Sequence, residues 1–141
     1  MKQKASNLPT YLVAKGNKGG DGFANIAQSM SGLYAEAMAL TNNVMGCGVP
    51  TSIGFEETFS NVNVAADRLS KMADIAYELY GYEVLHTTQA MNMRMQDGKK
   101  VGEGTTKFLN AYRKTVSSVT KDRIYTNDIK FLRTLDPATL K

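Results

Sequence analysis

Residues 61–95 read NVNVAADRLSKMADIAYELYGYEVLHTTQAMNMRM, a stretch with no proline and a single glycine, Gly81. Such a run reads as one continuous helix, because nothing in it removes a backbone donor or clashes with the preceding turn. Leu69, Met72, Ala76 and Leu79 line one stripe of that helix; Ala73, Tyr77, Tyr80, Val84, Thr88, Met91 and Met95 line a second. Two stripes on one helix require partners on more than one side. A chain of 141 residues has few helices to supply them. The spacing therefore predicts that 61–96 sits in a bundle shared between chains, as a homo-oligomer or with a companion chain, or shared with a missing domain.

Working outward towards the C-terminus, Gln96-Asp97-Gly98 closes this helix and Gly102-Glu103-Gly104 keeps the connection loose. Thr105 or Thr106 can cap a third helix carrying Phe108, Leu109, Tyr112 and Val116, with Val119 just beyond. A short fourth helix is expected over about 124–135, facing Ile129, Leu132 and Tyr125 inward, and Asp136-Pro137 stops it. The segment 105–135 thus reads as two short helices.

Towards the N-terminus, residues 46–60 form a loop in which Gly46-Cys47-Gly48-Val49-Pro50 ends the preceding helix. That helix is expected over 23–45. Its apolar residues Ile26, Met30, Leu33, Ala37, Leu40 and Val44 advance by three or four positions and share one face, and Asp21 is the expected N-cap. Residues 1–22 form an arm ending in a glycine loop (Gly16, Gly19, Gly20, Gly22), with Tyr11-Leu12-Val13 as a strand or an extended arm. The class is all-α: a single helical region over 1–141 with an extended N-terminal arm.

Composition bounds the function. Apolar residues are 43% and charged residues 21% of the chain, a globular balance. Cys47 is the only cysteine, which excludes a disulfide scaffold and a four-cysteine zinc site. No apolar run reaches the ~18–20 residues of a membrane span, and the basic N-terminus leads into no signal-length apolar run. A cytoplasmic location is the expectation. The net charge of +4 is scattered, and its densest group (Arg94, Lys99, Lys100) flanks a turn. This fits a solvated surface better than a nucleic-acid stripe.

Among the candidate sites, the glycine loop lacks both dinucleotide-turn spacing and a Gly-Lys-Ser/Thr triplet, so it reads as a connector rather than a phosphate cradle. His86, the only histidine, has no metal-ligand spacing around it and reads as a packed or surface residue; no metal is expected. Methionines at helical spacing read as adaptable core filling. Glu56-Glu57 lies in a loop bounded by Pro50 and Gly54. Its plain reading is charge favouring the N-terminus of the helix that follows. Beside Phe55, however, a carboxylate in a dry loop is also suited to acid–base chemistry.

From this loop outward the order of motifs resembles the C-terminal half of the aromatic amino acid ammonia-lyases, histidine ammonia-lyase foremost among them. That family runs from L-P-x-F-L through a Gly-rich stretch ending in S-G-F, a long helix, a P-T-S…G-Q-E-D loop and a very long helix closing in Q-x-L-D-L-R. The same order here reads Leu8-Pro9-Thr10-Tyr11-Leu12, Gly20-Asp21-Gly22-Phe23, Pro50-Thr51-Ser52-Ile53-Gly54-Phe55-Glu56-Glu57 and Gln89-Ala90-Met91-Asn92-Met93-Arg94. Gly104-Thr105, Asp122-Arg123, Tyr125 and Asp128-Ile129 are similar to its closing helices.

The resemblance implies the C-terminal part of the aspartase/ammonia-lyase fold, in which long helices of four subunits form a central bundle. It implies elimination of ammonia from an aromatic amino acid to give an unsaturated acid. By motif position Glu56 inherits the catalytic carboxylate, a glutamate that leans towards histidine-type members, and Phe55 stands at the substrate-binding position usually held by glutamine. Glu57 replaces an aspartate. The family's electrophile, methylidene-imidazolone, forms from an internal Ala-Ser-Gly. None occurs here: Ala5-Ser6-Asn7 lies at the wrong end of the motif order, and its Asn7 stands where the cyclisation wants glycine. The family's N-terminal tyrosine region is absent as well. The resemblance thus implies no cofactor within this chain, and an electrophile that has to come from a partner chain, without which the chain is inactive. The alternative is a catalytically inactive helical oligomerisation or interaction remnant of the lyase fold.

Overall fold

The computed structural model describes residues 6–44 and 61–135. Within them the chain forms four α-helices, α1 (Ile26–Leu40), α2 (Val62–Gln96), α3 (Glu103–Arg113) and α4 (Thr126–Lys130), with 3-10 turns at Thr10–Leu12 and Phe131–Thr134. The described residues contain no strand. The 35-residue α2 is the axis; at ~1.5 Å per residue it runs for about 50 Å. Against it pack α1 on one side and α4 with its 3-10 extension on another, while the Thr10–Leu12 turn touches it as well.

The end of α2 is set by Gly98, whose φ of 76° is a left-handed conformation open to glycine. Lys99 N–H donates to the Arg94 carbonyl (3.0 Å) and Gly98 N–H to that of Met95 (3.0 Å). This pair of bonds is a Schellman cap and satisfies carbonyls that the last turn would otherwise leave open.

The core joins all four helices: Phe23, Ile26, Tyr82, Leu85, Tyr112, Val116, Val119 and Ile129 form one buried cluster. Phe23 sits between His86 (ring centroids 4.6 Å) and Tyr125 (5.3 Å, edge-on). The six apolar positions of α1 and its C-terminal extension, Ile26 to Val44, are all buried or half-buried, and so are Phe108, Leu109, Tyr112, Val116 and Val119.

Four local expectations are corrected. The arm is not uniformly extended, because Tyr11 and Leu12 both take φ of 55° within the 3-10 turn. Asp21 does not cap α1: the helix starts only at Ile26, after turns at 22–25, and the Asp21 carboxylate accepts instead from Asn25 Nδ2 (3.3 Å). Neither Thr105 nor Thr106 caps α3, which begins at Glu103 after Gly102; Thr106 lies inside the first turn, its hydroxyl donating back to the Gly102 carbonyl at 2.9 Å. The fourth helix is shorter than expected, with five α-helical residues followed by 3-10 geometry to Thr134.

The stripes of α2 are used differently from the expectation. Its buried residues are Ile75, Gly81, Tyr82, Leu85, Thr88, Gln89 and Met93. Of the two stripes read from the spacing, only Thr88 belongs to this set. Leu69 (68% exposed), Tyr77, Tyr80 (59%) and Met95 face outward. The chain packs on a third line of α2 and leaves large apolar side chains of the other two uncovered.

Gly81 is where α4 comes closest. A Cβ there would fall well inside van der Waals distance of the Ile129 carbonyl, a backbone atom that cannot swing aside. Gly81→Ala should therefore cost about 2–3 kcal/mol despite alanine's better helix propensity. A urea midpoint equal to or above the parent's would rule out this close approach.

Candidate functional site

The two residues singled out for chemistry, Phe55 and Glu56, lie outside the described residues, as do Cys47 and Glu57. The structure does show how the described residues on either side of them are joined. Asn61, at the N-cap position of α2, turns its side chain away from its own helix and donates Nδ2–H to the Val44 carbonyl at 2.8 Å. Two turns on, Arg68 donates from Nη1 to the Asn42 carbonyl at 2.7 Å. These bonds run from the start and first two turns of α2 to backbone carbonyls of the short stretch that follows α1. Residues 44 and 61 are thus held next to each other.

A second bond set braces the far half of α2. Gln89 is buried (3% exposed). Its amide donates to the Val119 carbonyl at 2.8 Å and accepts from the Val119 N–H at 2.9 Å. One side chain thereby fills the place of a strand partner for a residue in the irregular segment after α3. Asn92, with its amide oxygen towards Arg113, accepts from Nε and Nη2 at 3.1 Å each. Burial lowers the Arg113 guanidinium from its ordinary value.

His86 is half-buried beside Phe23. Its Nδ1 lies 2.7 Å from the Tyr82 carbonyl, so Nδ1 carries the proton that is donated there. It borders an open apolar groove of about 630 Å³ between α1 and α2, with Met30, Ala76, Leu79, Tyr80, Glu83 and Thr87. Among the described residues no three His, Cys, Asp or Glu side chains are grouped to hold a metal. Among them, too, no helix is long and apolar enough to cross a membrane.

Sequence reasoning passed over Asn61 and Arg68 and quoted Gln89 and Asp122 only as parts of motifs. The one local signal was Thr88-Gln89, two polar residues at core spacing in α2. The partners of the others lie 17 to 105 positions away, beyond any periodic pattern.

The described residues are helical and built around one long axis, α2, with the chain on either side of residues 45–60 tied together at its start. The family model for aromatic amino acid lyases matches residues 1–114, and the chain belongs to that family. Histidine ammonia-lyase of Alkaliphilus metalliredigens is 27% identical over 119 residues, 84% of this chain and 23% of that protein. The Clostridium tetani histidine ammonia-lyase is 25% identical over 134 residues, 95% of this chain and 25% of that one. The fold likeness extends to the ergothionase of Treponema denticola, solved with desmethyl-ergothioneine sulfonic acid. The TM-score is 0.82 at 24% identity, over 94% of this chain and 26% of the ergothionase. The chain thus spans about a quarter of the length of the relatives it matches.

Proposed function

We propose that this chain is the C-terminal part of a histidine-type aromatic amino acid ammonia-lyase. It contributes the Glu56 carboxylate, the Phe55 ring and bundle helices to a site completed by another chain. The observation that carries the reading is the family match over residues 1–114, which contains Phe55 and Glu56 together with α1 and α2 on either side of them.

The reaction removes ammonia and a β-proton from an aromatic amino acid and leaves a conjugated acid. Glu56 would hold a protonated nitrogen of the substrate by a charge-assisted bond, and Phe55 would pack against its ring. The residues present do not fit the family's electrophile. No Ala-Ser-Gly occurs in the sequence, and Asn7, with φ of 53°, bears a side chain where cyclisation needs glycine. No step is therefore assigned to that group within this chain. The open faces of α2 support assembly: Leu69, Tyr77 and Tyr80 are apolar surface of the kind that another helix covers.

The test is co-expression with a chain that carries the family's Ala-Ser-Gly, followed by measurement of ammonia and conjugated acid released from L-histidine. The proposal expects turnover by the mixture and none by either chain alone. Glu56→Gln should reduce turnover at least ~10-fold, the effect of losing one charge-assisted contact. Unchanged turnover in that variant removes Glu56 from the chemistry.

A further inference from the structure

The glycine loop before α1 is not a free connector. The Asp122 carboxylate, a hundred residues away in sequence, accepts from the backbone N–H of Asp21 at 2.7 Å, from that of Gly22 at 3.2 Å and from Asn17 Nδ2 at 2.9 Å. Two successive backbone donors beside a side-chain amide, with a helix N-terminus just beyond, form the concave nest that binds anions elsewhere. Gly22 makes it possible: its φ is 55°, and a Cβ would collide with the Tyr11 carbonyl. The next N–H, that of Phe23, is taken by this same carbonyl at 2.9 Å. The neighbouring Arg123 is committed elsewhere, paired with Asp128 and lying over the Tyr125 ring at 5.3 Å.

We propose that the turn from Asn17 to Gly22 is an anion-receiving nest whose resident anion is the Asp122 carboxylate, a latch that docks residues 114–125 onto the opening of α1. The latch needs no lyase activity and stands apart from the catalytic reading. Asp122 lies beyond the residues matched by the family model, yet it fixes the start of the first helix inside that match.

The test uses the full chain and amide-resolved NMR. In Asp122→Ala the Asp21 and Gly22 amides should shift and exchange with solvent about tenfold faster or more, while the Val119 amide, held by Gln89, stays protected. Sodium formate should return those two amides towards their parent positions saturably, and sodium chloride at equal ionic strength should not, since the nest recognises a carboxylate and not bulk salt. Asn17→Ala, which leaves carboxylate and backbone donors in place, should move the two amides less. Should Asp122→Ala fail to fold, Asp122→Asn gives the same reading, because a neutral amide cannot accept both bonds with charge. Parent-like Asp21 and Gly22 amides in the Asp122 variant that folds, or equal responses to formate and chloride, overturn the latch.

Discussion

Between pH 10 and about 12 the chain should lose on the order of 2 kcal/mol of stability through one phenol, Tyr112. Tyr112 is completely buried at the centre of the core. Burial raises its pKa from 10.0 to about 12, with the Asp128 carboxylate adding to the rise and Arg113 and Arg123 opposing it. The folded value lies above the unfolded one, so the fold favours the neutral phenol. That contribution is whole below pH 10 and drains away as pH climbs through about 12, where the folded state must ionise a buried group. Tyr112→Phe should flatten this alkaline loss at little cost at neutral pH, since the hydroxyl makes only a long 3.5 Å bond to the Asp128 carbonyl. A smaller alkaline loss remains from Tyr125, also raised by burial. Urea midpoints followed from pH 10 to pH 12 check this, and equal slopes for parent and variant would show that Tyr112 is not the group.

The second large effect is at Gln89. Gln89→Leu keeps the side chain's approximate bulk but leaves both backbone groups of buried Val119 without a partner. Each orphaned group costs about 1–3 kcal/mol, so a loss of about 2–4 kcal/mol is expected. Thr88→Val is the comparison. Thr88 is equally buried, but its hydroxyl donates only to the Val84 and Leu85 carbonyls of its own helix. Its loss should cost under about 1 kcal/mol, because those carbonyls keep their helical bonds. Equal losses in the two variants would show that the Val119 brace carries no special weight.

These two residues also mark what the sequence discloses and what it does not. In α3 the apolar residues share one face, and in α1 the three-and-four spacing picked out the inward residues although Tyr34 and Met38 point outward. In α2 apolar residues run almost all the way round. Periodicity finds stripes there but cannot say which of them this chain keeps for itself, and the line it keeps includes Ile75, Tyr82, Leu85 and Met93. Caps were misplaced where the side chain found another local partner: the Asp21 carboxylate accepts from Asn25 Nδ2, and the Thr106 hydroxyl donates back to the Gly102 carbonyl. Glu56 was singled out from its place beside Phe55 and from resemblance to a family, and it lies outside the described residues. Nothing periodic marks that stretch, and the bonds on either side of it join side chains to backbone 17 and 26 positions away.

The exposed lines of α2 carry the central claim, that this chain is one component of a larger helical assembly. Light scattering on the purified 15.4 kDa chain measures it directly. The account predicts a mass of at least two chains that falls on dilution, and that Leu69→Ser with Tyr80→Ser shifts towards the single chain while helix content is kept. A folded particle of one chain's mass at every concentration would contradict it.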